Sequence, residues 1–68
     1  MEQHLFFNGV ALQSAADTLQ ALLLARGLAL ESAFACAVNN QFVPRAAWPS
    51  HALHSGDRVD VIAPITGG

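Results

Sequence analysis

A chain of 68 residues is long enough for one domain and no more, so we expect a single domain over residues 1–68. Its 53% hydrophobic and 12% charged residues predict apolar surface left over after folding, which suits a protein that docks on others. The net charge of −2, with three arginines and no lysine, provides no basic patch and disfavours nucleic-acid binding.

The sequence contains neither a membrane span nor a secretion signal. Its longest apolar runs, residues 21–25 and 33–38, fall far short of the roughly 18 residues that a span needs. The first four residues have no cationic start leading into an apolar stretch, so they are not a signal peptide. The single cysteine cannot form an internal disulfide, which fits a reducing compartment. We therefore expect a cytoplasmic protein without membrane association.

The chain begins with a predicted β-hairpin. Residues 3–7 form a short strand, and residues 10–13 form a second strand antiparallel to the first. Asn8 and Gly9 separate them, and both tolerate the positive φ angles of a tight turn.

A helix follows the hairpin. Asp17 or Thr18 can cap its first turn by accepting a hydrogen bond from a backbone amide. Gly27 is the expected stop, and the positive charge of Arg26 in the last turn suits the helix dipole. The helix is too short to persist alone, so it must pack on the sheet. One face, at the spacing i, i+3, i+4, i+7, carries Leu19, Leu22, Leu23 and Arg26.

A buried strand is predicted after the loop 28–32, because Phe34, Cys36 and Val38 alternate with alanines. Asn39 and Asn40 make a second tight turn into a short strand at residues 41–43, which Pro44 ends.

The segment 45–50 is irregular, with one helical turn that places Trp48 against the core, and residues 54–57 turn into the last strand. The resulting order is strand, strand, helix, strand, short strand, strand. This order predicts an α+β fold in which one main helix crosses the sheet.

The last strand leads into a distinctive C-terminal segment. Its alternation runs from Val59 to Ile65, although Pro64 removes a backbone donor, so regular pairing ends there or continues on a free edge. Gly67 and Gly68 have no Cβ and can be threaded through a channel too narrow for any side chain. We expect a flexible tail over about residues 65–68 that presents a carboxylate.

The other reactive side chains are better explained by structure than by catalysis. Cys36 sits in a buried strand without a predicted basic neighbour, where cysteine behaves as a small hydrophobe. His51 and His54 are three residues apart, but two ligands without a third make a weak metal site. The five acidic residues are scattered, and none forms an acid–base pair. We therefore expect neither an enzyme nor a bound metal or cofactor.

The carboxylate of Gly68 remains as the distinctive reactive group. It is a poor electrophile, because its leaving group would be oxide. It must therefore be activated, most simply as a mixed anhydride with AMP, and this requires a separate enzyme that uses ATP.

Two segments carry a resemblance to a known family. In residues 38–48 a hairpin turn precedes the motif Val43-Pro44-Arg45-x-x-Trp48. Further on, a Gly56-Asp57 turn precedes the final strand and the end Ile65-Thr66-Gly67-Gly68. Together they resemble the sulfur carrier proteins of bacterial thiamine biosynthesis over essentially the whole chain. The Val-Pro-Arg-x-x-Trp motif is the more discriminating part, since other ubiquitin-like sulfur carriers share the Gly-Asp turn and the Gly-Gly end.

The resemblance implies the β-grasp (ubiquitin-like) fold and a modification site. Gly68 would be adenylated by a ubiquitin-activating-like adenylyltransferase at the expense of ATP. Sulfur drawn from cysteine by a desulfurase would then replace AMP and give a Gly68 thiocarboxylate, which would donate its sulfur to thiazole synthase. Its partners would recognise the tail at Pro64, Ile65, Thr66 and Gly67, together with the exposed face of the sheet.

Three alternatives stay open at this point. The small subunit of molybdopterin synthase shares the fold and the Gly-Gly end, and residues 63–66 lean toward its Pro-Pro-Val-like pattern. A ubiquitin-like modifier would link Gly68 to lysines of other proteins. A plain binding domain would carry an inert tail.

Overall fold

The computed structural model describes residues 2–63, so the tail predicted over about residues 65–68 lies outside the described residues. A seven-residue helix, α1, lies between the second and third strands, and a 3₁₀ helix lies between the fourth and fifth. The elements are β1 (Gln3–Phe7), β2 (Val10–Ser14), α1 (Leu19–Ala25), β3 (Ala35–Val38), β4 (Gln41–Val43), the 3₁₀ helix (Arg45–Ser50) and β5 (Arg58–Ile62).

The five strands form one mixed sheet in the order β2-β1-β5-β3-β4. β1 and β5 run parallel at its centre, whereas the other neighbouring pairs are antiparallel. The first four predicted strands are confirmed to within one residue, since β2 extends to Ser14 and β3 begins at Ala35. The last strand begins at Arg58, one residue early, and its predicted alternation at residue 65 lies outside the described residues. β5, the last strand along the chain, therefore lies in the middle of the sheet and ends at Ile62.

Both predicted hairpin turns are confirmed by their backbone angles. Asn8 and Gly9 have φ values of 51° and 82°, and Asn39 and Asn40 have values of 53° and 66°. Two successive residues with positive φ match the right-handed twist of the flanking strands, which is why asparagine and glycine occupy these positions.

Helix α1 packs its leucine face on the sheet. Thr18, one of the two predicted caps, accepts a hydrogen bond through Oγ1 from the Ala21 amide at 3.2 Å. Leu19, Leu22 and Leu23 are fully buried. A β-bridge between Thr18 and Ala52 ties the start of the helix to the segment before β5.

The prediction for Arg26 was wrong in part. The helix ends at Ala25, so Arg26 is the C-cap residue and lies outside the last turn. Its side chain is exposed, and its guanidinium lies 5.4 Å from the centroid of the Phe7 ring. Gly27 then has a φ of 82°, as expected for the residue that ends a helix.

The core lies between the helices and one face of the sheet. Trp48 lies in the 3₁₀ helix and is buried in the core, as predicted. Its indole Nε1 donates to the Val43 carbonyl at 3.0 Å. No polar or charged side chain is buried among residues 2–63. The buried residues are Leu5, Leu19, Leu22, Leu23, Cys36, Val38, Val43, Trp48, Leu53 and Val59.

We predict that Leu22→Ala lowers the free energy of unfolding by about 2–5 kcal/mol, because it leaves a cavity in this core. Leu24→Ala on the same helix is the matched control, since Leu24 is 54% exposed; its change should stay within about 0.5 kcal/mol. Urea unfolding of both variants checks the difference. Equal changes would mean that the buried face of α1 is wrongly assigned.

Candidate functional site

β5 is the last strand before the predicted site. The predicted site residues Pro64, Ile65, Thr66, Gly67 and Gly68 lie outside the described residues. β5 is paired with β3 from Val59 to Ile62, which pairs with Ala35. On its other side, the ladder with β1 comprises only Phe6↔Arg58 and Phe7↔Val59.

Two asparagines from the hairpin turns hold β5 from opposite sides. The Asn8 amide donates to the Val59 carbonyl at 2.8 Å, and its Oδ1 accepts from the Val61 amide at 2.8 Å. The Asn39 amide donates to the Arg58 carbonyl at 2.8 Å, and its Oδ1 accepts from the Arg58 amide at 3.0 Å. From the sequence, both asparagines were expected only in turns. Their side-chain hydrogen bonds to β5 depend on which strand lies beside each turn, and a local sequence pattern does not show this.

The arginine of the Val-Pro-Arg-x-x-Trp motif holds the loop that precedes β3. Its guanidinium donates to the carbonyl oxygens of Leu30, Ser32 (2.7 Å) and Phe34 (3.2 Å). Three carbonyls on one planar donor group fix the path of this loop, because the guanidinium fork has a rigid geometry. Arg45 is therefore explained by structure rather than by chemistry on a substrate.

The same guanidinium covers a pair of stacked rings. The ring centroids of Phe34 and Trp48 lie 5.0 Å apart, and the two ring planes make an angle of 19°. The guanidinium carbon of Arg45 lies 4.4 Å from the Trp48 ring centroid. Because Ala35 follows Phe34 and pairs with Ile62, this cluster stands next to the end of β5. The motif that carried the resemblance thus supports the strand from which the tail departs.

The sheet face opposite the core carries exposed apolar side chains together with two charged ones, Arg58 and Asp60, which share this face of β5 with Ile62. Alternation along the strands places Phe6, Ile62 and Phe42 on this outer face, with exposures of 38%, 59% and 69%. Ala35 and Ala37 lie between them on β3. The leftover apolar surface predicted from composition is therefore present, and it reaches the last residue of β5.

Each of the three arginines lies over an aromatic ring. Arg26 covers Phe7, Arg45 covers Trp48 and Phe34, and Arg58 lies 5.7 Å from the Phe6 centroid. Phe42 is the one aromatic residue of the described chain without such a partner. Phe42 is also the most exposed large hydrophobic residue among residues 2–63.

Cys36 is buried, as predicted, and burial raises the pKa of its thiol. The expectation that Cys36 has no basic neighbour was wrong, because the charge of Arg45 lowers the pKa of the thiol. Burial has the larger effect, so the thiol stays protonated at neutral pH and is a poor nucleophile.

The histidines contribute backbone contacts. The His51 carbonyl accepts from the Leu19 amide at 2.9 Å, and the His54 amide donates to Asp57 Oδ2 at 2.8 Å. Within residues 2–63 no three side chains of metal-binding type come together. No helix in this part of the chain has the length and apolar character needed to cross a membrane.

A five-stranded mixed sheet with parallel first and last strands at its centre, crossed by one helix, defines the β-grasp fold of ubiquitin-like proteins. The family model of the ThiS family matches residues 5–68. The chain belongs to this family. It is 34% identical over 64 residues to the sulfur carrier protein ThiS of Escherichia coli (strain K12), covering 94% of this chain and 97% of that one.

Solved structures agree on the fold. The crystal structure of the thiamine biosynthesis protein ThiS from Geobacter metallireducens has a TM-score of 0.82 at 23% identity, covering 97% of this chain and 100% of that one. An NMR solution structure of a thiamine biosynthesis protein from the same organism has a TM-score of 0.76 at 23% identity, covering 97% and 88%. The β-grasp prediction is therefore confirmed.

We predict that stability falls above about pH 9 because of Cys36. Its folded-state pKa lies above its unfolded value of about 8.5, so its contribution is complete below that pH and is lost as the pH rises toward the folded pKa. The chain has no tyrosine or lysine, so between about pH 9 and 11 Cys36 is the titrating side chain.

Urea unfolding from pH 7 to 11 measures this effect, with Cys36→Ala as the control. The variant should show a flat profile between about pH 9 and 11. A wild-type profile parallel to that of the variant would contradict the burial of an ionisable thiol at this position.

Proposed function

We propose that this chain is the sulfur carrier for the thiazole moiety of thiamine, and that Gly68 is the residue that carries the sulfur. The observation that supports this most is the extent of the family match, which begins in β1 and includes Gly68. The sequence similarity to the sulfur carrier protein ThiS over nearly the full length of both chains supports the same function. The chain then acts as a protein co-substrate rather than as an enzyme.

The chemistry requires three steps at the Gly68 carboxylate. A carboxylate oxygen attacks the α-phosphorus of ATP and expels pyrophosphate, which gives an acyl adenylate. The desulfurase holds sulfur from cysteine as the outer atom of a persulfide, and this atom attacks the carbonyl carbon while AMP leaves with the bonding electron pair. A thiol then attacks the inner sulfur of the resulting acyl disulfide, forms a disulfide with it and releases the thiocarboxylate. This anion is a much better nucleophile than the carboxylate, so it can give its sulfur to the precursor held by thiazole synthase.

The partners follow from this chemistry. A ubiquitin-activating-like adenylyltransferase consumes ATP, and the carrier itself holds no cofactor. Thiazole synthase accepts the sulfur. Both partners must recognise Pro64, Ile65, Thr66 and Gly67 on the way to Gly68, and the reactions take place in the cytoplasm, without nucleic acid or a membrane.

The outer face of the sheet is the surface on which we expect the adenylyltransferase to dock. Ile62 on this face is the last residue of β5, so a protein bound there lies beside the start of the tail. Phe42 offers an exposed aromatic ring of the kind that dominates binding energies in protein interfaces.

Fragmentation of the C-terminal peptide tests the proposal. The protein is incubated with its host's adenylyltransferase, a cysteine desulfurase, cysteine and ATP, and the exchange of oxygen for sulfur should map to Gly68. The total mass is insufficient, because oxidation of Met1 or Cys36 adds nearly the same mass. An isopeptide bond to a lysine of another protein would instead identify a modifier. An unchanged carboxylate would leave a binding domain with an inert tail.

The sulfur acceptor is tested separately. Carrier loaded with labelled sulfur should transfer the label when mixed with thiazole synthase and its substrates. Transfer to a molybdopterin precursor, and none to the thiazole, would assign the chain to the other pathway.

We predict that Gly67→Phe abolishes adenylation, because the side chain cannot pass the narrow channel to the ATP site. Pyrophosphate release measures the reaction, and it should fall to the background of a variant that lacks Gly67 and Gly68. The urea unfolding curve should remain that of the wild type, because the change alters none of the buried core residues of the described chain. Adenylation at the normal rate would contradict the narrow-channel argument.

We also predict that Phe42→Ala weakens binding to the adenylyltransferase at least tenfold, through the loss of an aromatic anchor of about 2 kcal/mol. Val10→Ala is the matched control, since Val10 is 65% exposed and Phe42 69%, and Val10 lies at the other end of the sheet. Calorimetric titration measures both affinities. Equal affinities for the two variants would place the docking surface elsewhere.

A further inference from the structure

The edge of β5 that faces β1 becomes free just before the tail. In a strand, the backbone groups of successive residues point to opposite neighbours. The Asp57 carbonyl, just before β5, accepts from the Phe6 amide, and the Val59 carbonyl accepts from the Asn8 amide, just after β1. The backbone groups of odd-numbered residues in β5 therefore point toward β1. The contact of Arg58 with Asn39 shows that even-numbered residues point toward β3.

Asn8 ends the ladder between β1 and β5. The backbone turns away here with a φ of 51°, and the side-chain oxygen accepts the Val61 amide in place of a main-chain carbonyl. The next groups along this edge are the Val61 carbonyl and the Ala63 amide. Neither has a backbone hydrogen-bond partner among residues 2–63, whereas Ile62 on the other edge is still paired with Ala35.

We propose that the adenylyltransferase adds an extended segment of its own chain to this edge, in the position that β1 would occupy if it continued. The segment donates to the Val61 carbonyl and accepts from the Ala63 amide, so it forms a short intermolecular strand beside β5. This interaction deepens the proposed function, on which it rests, by naming the backbone groups through which the partner binds.

The side chains along this edge fit this mode of binding. Residues 61 and 63 carry apolar side chains, without the lysine that commonly protects a free edge from pairing.

Distance explains why this edge is the useful one. Gly68 lies five residues beyond Ala63, and an extended chain advances at most about 3.3–3.6 Å per residue. The reacting carboxylate is therefore within about 18 Å of Ala63. A strand added at residues 61–63 sets the direction of the tail over this short distance. The outer edges of β2 and β4 also lack a neighbouring strand, but they do not lead to the tail.

Amide hydrogen exchange measured by NMR tests the proposal directly. In the free protein the Ala63 amide should exchange rapidly, and the Ile62 amide should be protected by its pairing with β3. In the complex with the adenylyltransferase and ATP, exchange at Ala63 should slow at least tenfold. An Ala63 amide that exchanges equally fast in the complex overturns the proposal. Protection in the free protein overturns it too, since the edge would then be closed, for example by a second copy of the chain.

A pair of substitutions supplies an independent measurement. Ala63→Pro removes the donor but keeps an extended backbone, and it should weaken binding by about threefold to tenfold, as the loss of one hydrogen bond predicts. Ala63→Val keeps the donor and should bind at least threefold more tightly than Ala63→Pro. Equal affinities for the two variants would mean that the amide is not used.

The failure of this inference can be distinguished from the failure of the proposed function. Adenylation of wild-type Gly68 with an unprotected Ala63 amide rejects the added strand and leaves the carrier function intact. If the adenylyltransferase neither binds nor adenylates the wild-type chain, the added strand and the proposed carrier function are both rejected.

Discussion

The central constraint in this structure is that the strand leading to the tail is held on both sides. β5 pairs with β1 and β3, and Asn8 and Asn39 add side-chain hydrogen bonds to its backbone. An edge strand would present five residues of tail from a less restrained base. In the middle of the sheet, β5 can move only with the core beneath it. The position of Ile62, the last residue of β5, is therefore set by the packing of the core in the described part of the chain.

Local signals in the sequence predicted most of the fold. Asparagine and glycine turns, the Thr18 cap, the leucine face of α1 and the alternation of β3 each act over a few residues, so they could be recognised without knowing the neighbours. The roles that were missed depend on strand order. The hydrogen bonds of Asn8 to Val61, and of Arg45 to the loop before β3, join residues 53 and 11–15 positions apart, so no local pattern reveals them.

The candidate site was predictable in a different way. The proposed reactive residue, Gly68, was predicted by elimination and by resemblance. The surface proposed to dock the partner includes common residues such as alanine, isoleucine and phenylalanine, and only the sheet topology places them on one face. The Val-Pro-Arg-x-x-Trp motif identified the family, but its geometry shows that it supports β3 and the core.

The arginine–aromatic pairs have a consequence for the lifetime of an activated tail. Every cationic side chain in the protein is a guanidinium, and each lies over a ring. An acyl adenylate reacts readily with unprotonated amines, whereas a guanidinium keeps its proton at all physiological pH values. A carrier with this composition offers no side-chain amine to its own activated end or to that of a neighbouring copy. If the chain is activated as proposed, its copies do not cross-link to one another through side-chain amines.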